Sequence, residues 1–392
     1  MANIKALTGN DAASYAMKQI NPDVVAAYPI TPQTAIVEKF SEYVSNGEVD
    51  TEMILVESEH SAMSACVGSC AAGARTMTAT SSQGLALMWE IMYIAAGLRL
   101  PIVMTIVNRA LSAPLNIHCD HSDTMGARDS GWIHLFCENA QEVYDTVIQA
   151  VRIAEHPDVQ LPVSINMDGF IISHEVENVE VYDDSRVKNF VGEFKPRVSL
   201  LDVNKPVTVG PIDLQDFYFE HRRQEAEGMR NGLGVIKEIE AAFNKEFGRS
   251  YGVVEGYRLE DAEVAIVGLG STMGTLRSII DEARSAGKKA GFLKIRSFRP
   301  IPRDEIIAAL KNMKAVAVLD RADALNAVCG PLLMDIRSVL YGNLDVPTVN
   351  YIYGLGGRDI LTADLNMVID DLLNIVKTKK IKQELTYLGV RE

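Results

Sequence analysis

Three short stretches set groups capable of acid–base or anion chemistry at points where an apolar, strand-like run gives way to a helix-like one. In Tyr28-Pro29-Ile30-Thr31-Pro32-Gln33-Thr34, Thr31 followed by Pro32 reads as a helix N-cap and first helical position, with free N–H groups and a hydroxyl at a strand end. In Val56-Glu57-Ser58-Glu59-His60-Ser61-Ala62, carboxylates open a helix of small residues, where an anion complements the positive helix end and a ligand can come close. Val107-Asn108-Arg109-Ala110 puts an arginine after an apolar strand, and its planar fork can hold a carboxylate through two parallel hydrogen bonds. Taken singly, each also reads as an ordinary cap, a solvated carboxylate or a surface arginine.

Asp120-His121-Ser122-Asp123 and Arg128-Asp129-Ser130-Gly131-Trp132 follow the arginine, while His60, His118 and His121 lack the spacing of a helical metal pair and read as structural. Gly268-Leu269-Gly270-Ser271-Thr272-Met273-Gly274 invites comparison with the dinucleotide fingerprint. Its third glycine comes one position late, and the next strand ends Lys294-Ile295-Arg296 without the acidic residue a ribose needs. A tight turn or an anion contact is the better reading, and a nicotinamide-dependent dehydrogenase the weaker one.

The elements able to position these groups alternate along the chain. Thr8 to Ile20, Thr31 to Val44, Glu59 to Ala72, Gln83 to Leu98 and Ala140 to Glu155 read as helices. Asp23 to Tyr28, Met53 to Val56, Met77 to Thr80, Ile102 to Val107 and Leu161 to Met167 read as strands, several of them apolar throughout, as in a parallel sheet covered on both faces. The first domain is therefore expected to be doubly wound α/β. From about His174 to Tyr257 the rhythm breaks into Pro-containing polar stretches and an amphipathic helix over Met229 to Phe247. A second, smaller α/β series begins at Ala262, with strands at Val264 to Val267, Ala290 to Ile295, Val316 to Leu319 and Pro347 to Tyr351, and helices near Met273 to Ala286, Arg303 to Asn312 and from Thr362.

With 392 residues, 47% hydrophobic and 23% charged, two domains with sizeable cores are expected. A net charge of -14 argues against a nucleic-acid partner. No leader-like opening and no run of ~18 apolar residues is seen, so neither export nor membrane insertion is expected, and a cytoplasmic protein is. Cys66, Cys70, Cys119, Cys137 and Cys329 form no C-x-x-C pair, so free buried thiols are expected rather than disulfides or a cluster site.

In order and wording, Tyr28-Pro29-Ile30-Thr31-Pro32, Glu57-Ser58-Glu59-His60, Thr80-Ser81-Ser82-Gln83-Gly84-Leu85, Val107-Asn108-Arg109-Ala110 and Arg128-Asp129-Ser130-Gly131-Trp132 resemble the alpha subunits of the four-subunit 2-oxoacid:ferredoxin oxidoreductases. The resemblance runs over nearly the whole chain, and pyruvate is the acid it favours. It implies a thiamine-pyrimidine-binding domain with its connector over residues 1–228, a linking helix segment over 229–260 and a transketolase C-terminal-like domain over 261–392. It also implies that Glu59 hydrogen-bonds N1′ of the aminopyrimidine of thiamine diphosphate, whose thiazolium ylide is the carbanion sink that decarboxylation needs. A carboxyl in an apolar cleft suits such proton sharing, because burial disfavours its charged form. Glu57 is the rival, and on an extended segment both would face one side. Pro29, Ser82 and Gln83 would line the cofactor, Arg109 would grip the substrate carboxylate, and Thr31 would hydrogen-bond the substrate beside it.

The chain lacks the Gly-Asp-Gly with a later Asn that holds magnesium diphosphate in thiamine enzymes; Asp168-Gly169-Phe170 is the nearest approach. The resemblance therefore implies partners: a beta chain with the Mg2+ diphosphate and an iron–sulfur cluster, a ferredoxin-like delta chain and a gamma chain. Coenzyme A would accept the acyl group and ferredoxin the electrons. Alternatives are the same role for branched-chain 2-oxoacids or 2-oxoglutarate, and a non-catalytic scaffold whose cofactor site has decayed.

Overall fold

The computed structural model describes residues 3–391. Its first part runs β1 (Asn3–Leu7), α1 (Gly9–Ile20), β2 (Val24–Ala27), α2 (Thr34–Ser45), β3 (Glu52–Leu55), α3 (Glu59–Ala71), β4 (Thr76–Thr80), α4 (Ser82–Gly97), β5 (Val103–Asn108), α5 (Ser122–Ala127), β6 (Ile133–Phe136), α6 (Ala140–Glu155), β7 (Val163–Asp168), β8 (Glu177–Val181), α7 (Asp184–Val191) and α8 (Tyr218–Phe247). The second comprises β9 (Val254–Tyr257), β10 (Val264–Gly268), α9 (Thr272–Ser285), β11 (Ala290–Ile295), β12 (Ser297–Arg299), α10 (Arg303–Leu310), β13 (Ala315–Asp320), α11 (Pro331–Leu340), β14 (Thr348–Ile352), α12 (Thr362–Thr378) and β15 (Leu385–Tyr387).

A seven-stranded sheet in the order β12-β6-β7-β5-β4-β2-β3 carries the first part, and β2 to β7 run parallel in it. β4, β5 and β7 are buried along their whole length, which is why their sequences are continuously apolar or small rather than alternating. Ala12, Ile36, Tyr144 and Phe243 belong to the core on one face, built by α1, α2, α6 and α8; Met63, Met88 and Met92 of α3 and α4 cover the other. The expected doubly wound architecture is thus present. A six-stranded sheet, β15-β14-β13-β10-β11-β9, forms the second part, with α9 and α12 on one face and α10 and α11 on the other. Among the described residues no helix is long and apolar enough to cross a membrane.

Several expectations are corrected. The helix expected from Thr31 begins at Thr34: Ile30 to Gln33 form a turn in which the Gln33 N–H donates to the Ile30 carbonyl at 2.8 Å, and Gln33, not Thr31, holds the N-cap position. The helix expected from Met229 begins at Tyr218, so the expected division at residue 228 falls inside α8. β12, unforeseen, leaves the second part to pair antiparallel with β6, Ser297 opposite Leu135, so the two parts share an edge.

Candidate active site

Neighbouring strands β3, β2, β4 and β5 bring the chosen side chains to their carboxyl ends, the edge where open α/β sheets bind ligands. After β3 the chain turns through Ser58, whose hydroxyl accepts from the Ser61 N–H at 3.2 Å and caps α3. Glu59, the first helical residue, is only 7% exposed, and its carboxylate has no hydrogen-bond or ion-pair partner among the described residues. It lies over Gly84, where a Cβ would stand 2.8 Å from Glu59 Oε1 and 2.5 Å from Thr80 Oγ1. The Thr80 and Ser81 hydroxyls are themselves buried without partners. A buried carboxylate, two idle hydroxyls and a position kept bare by glycine therefore meet at the start of α4.

Glu57 goes elsewhere. It is exposed and accepts from the Ser61 hydroxyl at 2.5 Å, which holds its carboxyl below the usual range. The expectation that both glutamates face one side fails because residues 57–59 are the bend from strand to helix, not extended chain.

Thr31 and Arg109 are brought together. The Arg109 Nη1 donates to the Thr31 carbonyl at 2.8 Å and its Nε to the Asn116 carbonyl at 2.9 Å. Two of the five guanidinium N–H groups are thus engaged, and Nη2 has no partner among the described residues. Thr31 and Pro29 are exposed beside it, and Gln83 is half-buried at the start of α4. Ser82 is buried at a left-handed φ of +48°, and its hydroxyl donates to the Ala110 carbonyl at 2.6 Å. Its side chain therefore ties α4 to the arginine loop.

Asp123, named above only for its nearness to the arginine, organises this edge. One carboxylate oxygen accepts from the Ser82 N–H at 3.0 Å and the Arg109 N–H at 2.9 Å; the other accepts from the Asn108 amide at 2.9 Å and the Thr124 N–H at 2.7 Å. Burial pushes its carboxyl up to about 6 against the pull of those four donors.

A second cluster joins the two parts of the chain. Asp168 accepts from His121 at 2.7 Å, Arg321 at 2.9 Å, and the Ser271 N–H and hydroxyl at 3.1 and 2.5 Å. Burial alone would raise its carboxyl, but His121 and Arg321 pull it well below the usual range. Gly270, at φ +69°, lets the turn reach this carboxylate, so the glycine-rich stretch that resembled a dinucleotide site docks on Asp168 instead. Ligand atoms of Cys119, His121 and Asp168 lie within 4.8 Å of one another, yet the Asp168 oxygens are already taken, one of them by a guanidinium, which disfavours a cation. All five cysteines are free and buried; burial pushes the Cys66 thiol up to about 12. His60 pairs with Glu90 at the surface and His118 packs on Phe170.

A family model described as pyruvate flavodoxin/ferredoxin oxidoreductase, thiamine diphosphate-binding, matches residues 15–241. The chain belongs to that family. The model for core domain II of pyruvate:ferredoxin oxidoreductase matches residues 262–365. The chain is 57% identical to the pyruvate synthase subunit PorA of Thermotoga maritima, covering 99% of this chain and 98% of that one. It is 42% identical to the ketoisovalerate oxidoreductase subunit VorA of Pyrococcus abyssi, covering 99% and 98%. A 2-oxoglutarate:ferredoxin oxidoreductase from Magnetococcus marinus, solved with 2-oxoglutarate, coenzyme A and succinyl-CoA bound, has the same fold, with a TM-score of 0.75 and 18% identity over 96% of this chain and 66% of that one. An inactive split-gene transketolase tetramer follows with a TM-score of 0.53 and 13% identity over 95% and 98%.

Proposed function

We propose that this chain is the alpha subunit of a thiamine-dependent complex that oxidatively decarboxylates pyruvate to acetyl-CoA and CO2 and reduces ferredoxin. The observation that carries the reading is the Glu59 carboxylate, buried and unpartnered over Gly84 beside the idle Thr80 hydroxyl. An aminopyrimidine offers the ring nitrogens and N–H groups such a cradle lacks, so the residues fit the cofactor the family binds. When bound, thiamine diphosphate would supply the carbanion sink that loss of CO2 from a 2-oxoacid requires. Glu59 holds and shares a proton at a pyrimidine nitrogen, sheltered from water by its burial. Pro29, Gln83 and the backbone of Ser82 form the rim. Arg109 grips the substrate carboxylate with its free Nη2 edge, and the exposed Thr31 hydroxyl hydrogen-bonds the substrate beside it.

The diphosphate, its Mg2+ and the iron–sulfur clusters belong to partner subunits in this reading. Asp168, in the nearest sequence to a diphosphate motif, is fully occupied by His121, Arg321 and Ser271. α4 exposes Leu87, Trp89 and Ile94, apolar side chains that a beta subunit completing the site would cover. Gamma and delta subunits, coenzyme A as acyl acceptor and cytoplasmic location complete the proposal. Pyruvate stands ahead of 2-oxoisovalerate because the 57% relative is a pyruvate synthase subunit while ketoisovalerate subunits match at 42%.

The test is pyruvate- and coenzyme A-dependent reduction of ferredoxin by the assembled complex under anaerobic conditions, with 2-oxoisovalerate as competitor. Glu59→Gln is expected to abolish turnover. Arg109→Ala should cost about 1.5–3 kcal/mol, or one to two decades of kcat/KM, mostly through KM. An active Glu59→Gln complex, or preference for the branched acid, contradicts the reading.

A further inference from the structure

The loop between β5 and α5 carries Asn116, whose carbonyl receives the Arg109 Nε, yet the loop contains neither helix nor strand. What fixes it comes from the second part of the chain. The Asn116 side-chain amide donates to the Gly356 carbonyl at 3.0 Å, while its oxygen accepts from the His118 N–H at 2.7 Å. The Gly357 N–H donates to the Cys119 carbonyl at 2.7 Å, and the Gly356 N–H to Asp120 at 3.2 Å. Gly356 and Gly357 have φ of +60° and +80°, and a Cβ on either would collide with Asn116 or His118. Glycine is thus required there twice over, by conformation and by closeness of approach.

We propose that this turn and Asn116 position Arg109 for the substrate: the second part of the chain sets, through one asparagine, the direction in which the arginine presents its free edge. The inference rests on Arg109 gripping a 2-oxoacid carboxylate. A guanidinium held by two carbonyls on different loops, Thr31 and Asn116, has a fixed plane; freeing one lets it swing, and small misplacements of a binding group are costly. Asn116 is a positioning residue and touches no reacting atom.

The experiment compares wild-type, Asn116→Ala, Arg109→Lys and the double variant in the assembled complex, reading kcat and KM for pyruvate and KM for coenzyme A. Asn116→Ala should raise KM for pyruvate about tenfold, leave kcat within about twofold and leave KM for coenzyme A alone. In the Arg109→Lys background the same change should add little, because coupled residues are not additive. An unchanged pyruvate KM, an equal rise in both backgrounds, or a loss confined to kcat overturns the proposal. If Asn116→Ala does not assemble, the gentler Asn116→Ser takes its place, and failure of both means that Asn116 serves folding rather than Arg109, which also overturns it. If wild-type prefers another 2-oxoacid, only the substrate name in the functional reading is wrong, and the comparison is made with that acid. If no 2-oxoacid turns over, the inference falls with the reading.

Discussion

Protonating Asp123 should switch off the substrate edge, and the structure fixes where. Its two oxygens accept from four donors, two of them the N–H groups of Ser82 and Arg109, and a protonated carboxyl must give up an acceptor position to its own O–H. With the carboxyl at about 6, kcat/KM for pyruvate should fall about tenfold per pH unit below that value. Stability must move the other way. The folded state holds this proton more tightly than the unfolded chain, whose value is 3.8, so Asp123's contribution is most favourable below about 4 and is lost as pH rises through about 6. A shift of about two units corresponds to about 3 kcal/mol. Asp123→Asn removes both effects. Its oxygen can stay with Ser82 and Arg109, because Asn108 Oδ1 is buried without a partner and can turn to the new NH2; the Thr124 N–H loses its acceptor at about 1–3 kcal/mol. The assays are pyruvate kcat/KM from about pH 5 to 8 and denaturation midpoints of the same complexes. The variant should lose the acidic limb near pH 6, and its stability relative to wild-type should improve as pH rises through the same window. An acidic limb that persists unchanged in the variant would refute the clamp.

Gly84→Ala separates fold from site: alanine favours a helix over glycine by about 1 kcal/mol, a gain offset because its Cβ would stand 2.5 Å from Thr80 Oγ1 and 2.9 Å from Glu59 Cγ, so the strain falls on the cradle itself. Melting should change little while thiamine diphosphate retention by the complex drops at least several-fold; intact retention would show that the Glu59 cradle is not the cofactor site. Asp168→Asn breaks a buried pair with Arg321 and His121 and should cost about 3–5 kcal/mol, read by denaturant unfolding. Because the folded carboxyl is held low, this stabilisation is present above the ordinary carboxylate range and fades only as pH falls through the folded value, the reverse of Asp123.

What the sequence made legible was local. α6 has the bounds its apolar period predicts, and β4, β5 and β7 lie within about two residues of their apolar runs, because one-face or two-face burial writes itself into neighbouring residues. Glu59 and Arg109 stood out because each follows such a run. Pairing across the chain left no comparable mark. β12 is three residues long, carries an arginine, and becomes a strand only because β6 offers its edge. Thr31-Pro32 has the composition of a helix start, but the Gln33 side chain, accepting from the Ile30 N–H at 3.2 Å, closes a turn first. Asp123 has donors on four separate residues, Ser82 being 41 positions away, so its role was invisible to any short window.

The glycine-rich stretch at 268–274 shows how chemistry can be read correctly while its ligand is missed. A glycine at a strand end and the Ser271 N–H and hydroxyl at a helix start do bind an anion here, but the anion is Asp168 of the same chain. The same physics recurs at Asp320, whose carboxylate receives the Leu332 and Leu333 N–H groups at the start of α11 and is pushed up by burial to about 7. At the starts of α9 and α11 an internal carboxylate thus takes the place that an external anion can take. Glu59 at the start of α3 contrasts with these: among the described residues its buried carboxylate has no partner, and that contrast with Asp168 and Asp320 is what supports the proposal that it meets the cofactor.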